Sequence, residues 1–131
     1  MLNSAKIVGF VPTRDPQRAR AFYEDILSRV LPRLRFLRDD HFALVFESDG
    51  TMVRIAHVPE FTPMPFTILG WEVDDIQQAV QDLKNRGVHF ELYEQFQQEE
   101  SGIWTAPGGA AKVAWFKDPD GNVLSLSQHA A

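Results

Sequence analysis

His57, Glu72, Trp104, Lys112 and Ser125 are the side chains whose types and positions carry the most chemistry. His57 lies in Val53-Arg54-Ile55-Ala56-His57-Val58, where strand alternation sets Val53, Ile55 and His57 on one face. If that face meets a ligand, the imidazole serves as general base or as hydrogen-bond partner of a bound carbonyl. The alternative is a strand-end histidine near solvent. Glu72 sits between Trp71 and Val73 in an otherwise apolar strand, a setting that tunes a carboxylate as a base when it lacks a partner. A surface or salt-bridged glutamate explains it as well. Trp104 and Lys112 flank Pro107-Gly108-Gly109, a flexible segment able to fold over an opening. There an indole stacks on a planar ligand while the ammonium meets its carboxylate; a core tryptophan and a solvated lysine are the bland reading. Ser125, Ser127 and Gln128 make the last strand polar on one face with Val123, offering neutral hydrogen bonds or simply facing water. Trp71, Trp115 and Phe116 read as packing residues.

Several chemistries are excluded. The 131 residues contain no cysteine, so there is no disulfide, thiolate zinc site, Fe–S cluster or cysteine nucleophile. No G-x-G-x-x-G, P-loop, G-x-S-x-G or H-E-x-x-H string occurs. Thirteen Lys and Arg against eighteen Asp and Glu give a net charge of −5, which disfavours nucleic acid and anionic membrane as partners. Arg14, Arg18 and Arg20 form a solvated basic face rather than an anion site. Hydrophobic residues at 44% and charged residues at 24% suit an ordinary globular chain with a buried core. The start Met1-Leu2-Asn3-Ser4-Ala5-Lys6 lacks a secretory pattern and no apolar run reaches about 18 residues, so a cytoplasmic protein is expected.

The elements that must position these groups come in two rounds. Lys6 to Val11 reads as a strand ending at Pro12, and Asp15-Pro16 opens a helix whose stripe is Ala19, Phe22, Tyr23, Ile26 and Leu27. Strands follow at Leu34 to Leu37, His41 to Glu47 and Met52 to Val58, with Asp49-Gly50 as a hairpin turn. Thr67 to Val73 then reads as a strand, and Asp74-Asp75 opens a helix with stripe Ile76, Ala79, Val80 and Leu83, ended by Gly87. Val88 to Tyr93, Ala111 to Lys117 and Val123 to Ser127 complete the second round. The order β-α-β-β-β occurs twice. Gln95 to Gly102 reads as a solvated loop. The expected organisation is one domain over 1–131, with module one at about 5–58, a Pro-rich connector at 59–66 and module two at about 67–128.

This duplicated order, with the final hairpin Trp115-Phe116-Lys117-Asp118-Pro119-Asp120-Gly121-Asn122-Val123-Leu124, resembles the vicinal oxygen chelate superfamily of glyoxalases, bleomycin-resistance proteins and extradiol dioxygenases. The resemblance covers roughly Ala5 to Gln128. It implies an α+β fold of two tandem βαβββ modules forming an open, cupped mixed sheet, with helices on the convex side, ligand in the cup, and homodimerisation. In metal-binding members the ligand positions carry over to Val8, Ile55 or His57, Ile68 and Ser125, of which only His57 is a plausible donor. His41, His89 and His129 are scattered, so no metal and no cofactor is expected.

Three readings follow. The first is a metal-free protein that binds or sequesters a small organic molecule, in the manner of the bleomycin-resistance branch, with Trp104, Lys112, Ser125 and His57 as contacts. The second is an enzyme of lyase, isomerase or dioxygenase type with His57 or Glu72 as base and Lys112 or the serines steadying an oxyanion. The third is an interaction module whose cup its own side chains fill.

Overall fold

The computed structural model describes residues 4–130; Met1-Leu2-Asn3, part of the stretch read for a leader, and Ala131 lie outside the described residues. The chain divides into two compact units, one ending at Thr62 and the other starting at Pro63. Among the described residues no helix is long and apolar enough to cross a membrane.

The first unit contains β1 (Val8–Thr13), α1 (Pro16–Arg20), a π-helical turn (Ala21–Leu27), α2 (Ser28–Val30), β2 (Leu34–Asp39), β3 (Ala43–Ser48) and β4 (Thr51–His57). Its sheet runs β1-β4-β3-β2, with β1 parallel to β4 and the other pairs antiparallel. Asp15 caps α1, its Oδ1 accepting the Arg18 N–H at 3.2 Å, and Pro16 stands where a helix needs no donor. Ala19, Phe22, Tyr23 and Leu27 are buried as the stripe requires, and Tyr23 meets Phe46 of β3 at 6.0 Å between ring centroids. The helix widens to a π turn within this stripe, where Ser28 donates both its N–H and its hydroxyl, the latter at 2.9 Å, to the Tyr23 carbonyl five residues back. The first strand runs through Pro12 to Thr13 instead of ending at Pro12, because β1 is the sheet edge, where proline is tolerated. Asp49 and Gly50, at φ 48° and 89°, make the two-residue turn between β3 and β4.

The second unit contains β5 (Thr67–Glu72), α3 (Ile76–Asn85), β6 (Trp104–Thr105), β7 (Ala111–Lys117) and β8 (Val123–His129), in sheet order β5-β8-β7-β6 with β5 parallel to β8. Asp75 Oδ1 caps α3 by accepting the Gln78 N–H at 3.1 Å. Gly87 at φ 89° closes the helix, with Gly87 N–H to Lys84 O and Val88 N–H to Leu83 O both at 3.0 Å. Ile76, Ala79, Val80 and Leu83 are all buried. The strand expected over Val88 to Tyr93 does not form. Phe90 makes an isolated bridge to Phe116, the Glu91 N–H reaches the Trp115 carbonyl at 2.8 Å, and β6 pairs with Val113 and Lys112 farther along that edge of β7. In the 118–122 turn, Asp118 Oδ1 accepts the Asp120 and Asn122 N–H groups at 2.9 and 3.0 Å, and Gly121 supplies φ 90°.

Candidate functional site

Strand register decides which side chains share a face in the second unit. Lys112 pairs with Gln128, Ala114 with Leu126 and Phe116 with Leu124, while Trp115 pairs with Ser125 and Val113 with both Ser127 and Trp104. The first set faces α3: Gln128 Oε1 accepts the Ile76 N–H at 2.9 Å, so Gln128 does not join the polar face expected with Ser125 and Ser127. The second set, extended by Gly70 opposite Ser125 and Glu72 opposite Ser127, faces away from α3. The structure therefore brings Trp104, Ser125 and Glu72 onto one face and places Lys112 on the other.

Ser125 is 9% exposed. Its neighbour Gly70 is exposed, and a Cβ there would collide with the Ser125 hydroxyl oxygen, so glycine keeps an open backbone floor beside that hydroxyl. Trp115 stands on the other side of Ser125. Glu72 is exposed at the end of β5, and Ser127 Oγ lies 3.0 Å from His129 Nε2.

Four aromatic rings gather beside this floor. Phe96 stacks on Trp115 at 5.1 Å and 10° between planes and lies 4.8 Å from Trp104; the two indoles are 6.1 Å apart. Tyr93 meets Trp115 edge-on at 5.5 Å. Burial pushes the Tyr93 phenol above its usual pKa, and the Glu91 charge adds to the rise. The stretch expected to be a solvated loop is tied down by one side chain. Gln98 Oε1 accepts the Tyr93 N–H at 2.7 Å, and its Nε2 donates to the carbonyls of Glu91 at 3.0 Å and Gly102 at 2.6 Å. A cavity of about 570 Å³ opens at this edge, bordered by Phe96, Ile103, Trp104, Glu99, Thr105 and Pro107. Sequence reasoning missed Phe96 and Gln98; the available signal was a lone aromatic in a Gln- and Glu-rich run.

In the first unit His57 stands with Val53 and Ile55 on the face toward α1, where Phe46 packs on Tyr23. It lines a cavity of about 160 Å³ together with Pro16, Asp39, His41 and Phe42. His41 holds φ at 74°, its N–H bound to Asp39 Oδ1 at 2.8 Å. The opposite face carries Val8, Phe10 and Arg54. Arg54 bonds Asp40 at 2.7 Å and holds that carboxyl below its usual range, helped by the Ala43 and Phe42 N–H groups. Two of the arginines expected to be merely solvated stack on rings: Arg14 lies 4.8 Å over Phe61 and Arg20 4.0 Å over Phe36.

The positions that the resemblance would assign to a metal carry residues that do not together fit a divalent ion. Val8 and Ile68 are hydrocarbon, Ser125 is a neutral hydroxyl, and His57 points to the α1 side while Val8 is on the other face. Within each unit, no group of three His, Asp or Glu side chains among the described residues is placed to hold a metal.

The arrangement matches known proteins in fold. A structure from Sphaerobacter thermophilus, described as a member of the glyoxalase/bleomycin resistance protein/dioxygenase superfamily, superposes with a TM-score of 0.74 at 21% identity, covering 98% of this chain and 100% of that one. TnmS3, an antibiotic binding protein from Streptomyces sp. CB03234, gives 0.71 at 23% identity over 99% of both chains. The bleomycin resistance determinant encoded on the transposon Tn5 gives 0.70 at 19% identity, covering 98% of this chain and 100% of that one. No curated protein matches the sequence significantly. The family model of the Glyoxalase/Bleomycin resistance protein/Dioxygenase superfamily matches residues 5–126, and the chain belongs to that superfamily.

Proposed function

We propose that the protein binds a small, flat, largely apolar organic molecule without a metal, on the face of its second sheet turned away from α3. The observation that carries this reading is the row Gly70, Ser125, Trp115 on three adjacent strands, continued by Trp104. It combines an open floor, a hydroxyl and two indoles across about 14 Å, three strand spacings. The adjoining cavity of about 570 Å³ lies within the usual range for organic ligands. Ser125 supplies orientation by one neutral hydrogen bond, and the indoles supply most of the contact area. Relatives named for bleomycin resistance and antibiotic binding share this fold, which supports ligand capture as the function.

Titration with bleomycin and with dihydroxyanthraquinone, followed by quenching of tryptophan emission, tests the reading. Saturable quenching by at least one probe, weakened by Trp115→Ala and by Ser125→Val, is expected. Absence of saturable quenching with both, or quenching indifferent to both substitutions, would refute it.

A further inference from the structure

We propose that Phe96 is an internal occupant of the ligand site, which a flat fused-ring group displaces on binding; this rests on the binding reading above. The Phe96 ring already makes the contacts such a ligand would make, stacked on Trp115 at 10° and leaning on Trp104 at 45°. It reaches both indoles because it lies across the pair, whose centroids are 6.1 Å apart. A ligand that replaces it must span the same two rings, which selects fused polycycles over single rings.

The surrounding chain permits the exchange. Residues 94–97 lie between two fixed points, Tyr93 and Gln98, which the Gln98 amide joins at 2.7 Å. Glu94, Gln95 and Gln97 are exposed, and Phe96 is the half-buried residue among them. The Phe96 N–H reaches the Tyr93 carbonyl at 3.1 Å, a bond that water can replace in an exposed turn. Swinging Phe96 outward therefore leaves all three Gln98 hydrogen bonds in place. It also enlarges the cavity that Phe96 and Trp104 border.

The test compares wild type, Phe96→Ala and Phe96→Leu by calorimetric titration with dihydroxyanthraquinone. Leucine keeps the turn apolar without offering a stacking ring, so it guards against a loop that collapses in the alanine variant. Both variants are expected to bind about 2- to 13-fold more tightly than wild type, the factor carried by one aromatic pair. The Phe96 amide of wild type is expected to exchange faster with solvent when ligand is bound. Equal or weaker binding by both variants alongside measurable wild-type binding would make Phe96 a fixed wall and overturn this inference alone. Absence of binding by wild type and both variants would overturn the binding reading together with it.

Discussion

Replacing Gln98 by alanine removes a side chain that ties Glu91, Tyr93 and Gly102 together. Three hydrogen bonds are lost, at 2.7, 3.0 and 2.6 Å. At a net value of about 1 kcal/mol each, the cost is about 3 kcal/mol, toward the lower side because Gln98 is half-buried and water replaces part of the loss. For a chain of this size that corresponds to about 10 °C in midpoint. Chemical denaturation of Gln98→Ala beside Gln97→Ala, an exposed neighbour expected to cost under about 0.5 kcal/mol, isolates the effect. Gln98→Glu refines it: the carboxylate still accepts from Tyr93 but loses both donors and faces two carbonyls. Its deficit should be as large at neutral pH and smaller below about pH 4, where the acid regains a donor. Near-UV dichroism from the Tyr93, Phe96, Trp104 and Trp115 group should fade in step. A loss below about 0.5 kcal/mol in Gln98→Ala, with unchanged aromatic dichroism, would refute the assigned role.

Gly70→Ala should cost about 1–3 kcal/mol by overpacking against Ser125, and Ser125→Ala should recover part of that loss in a double-mutant cycle; strict additivity would contradict the contact. The Asp40 carboxyl is held below its usual pKa, chiefly by Arg54, so its contribution is present above the unfolded value and lost as pH falls through the folded one. Asp40→Asn should therefore flatten the acid limb of a stability–pH curve and leave the neutral-to-alkaline part parallel to wild type. The Tyr93 phenol is raised by burial, so its contribution holds below the ordinary tyrosine range and fades as pH climbs toward the folded value. Tyr93→Phe should remove that alkaline slope. Phe10 is 63% exposed on the edge strand β1, so the homodimer expected from the family resemblance can be tested there. Light scattering should give twice 14.9 kDa for wild type and a monomer for Phe10→Asp, and a wild-type monomer would contradict this.

Much of the fold was legible because it is written in local chemistry. Asp15-Pro16, Asp75, Asp49-Gly50, Gly87 and the Asp118 to Asn122 turn each satisfy nearby backbone, and each does so in the structure. Facing was harder. Trp104 and Lys112 bracket one glycine-rich turn, yet Lys112 shares parity with Ala114 and Phe116 and so looks toward α3. Register irregularities between Thr67 and Leu69 and between Phe36 and Arg38 break simple alternation further. Val88 to Tyr93 has strand composition but leaves the edge of β7 after Glu91, since β6 pairs with the other end. Gln98 was invisible because a long amide reaching three separate backbone groups leaves no periodic trace.

The most direct test of a metal-independent aromatic site is the set of indole N–H resonances in a two-dimensional nitrogen–proton spectrum, recorded with excess chelator while dihydroxyanthraquinone is added. Trp104 and Trp115 share the face turned away from α3, whereas Trp71 pairs with Leu126 on the other side and serves as an internal control. Saturable movement of the Trp104 and Trp115 signals with Trp71 unmoved is the predicted result. Movement of Trp71 alone, or shifts at Trp104 and Trp115 that appear only after a divalent metal replaces the chelator, would contradict the account.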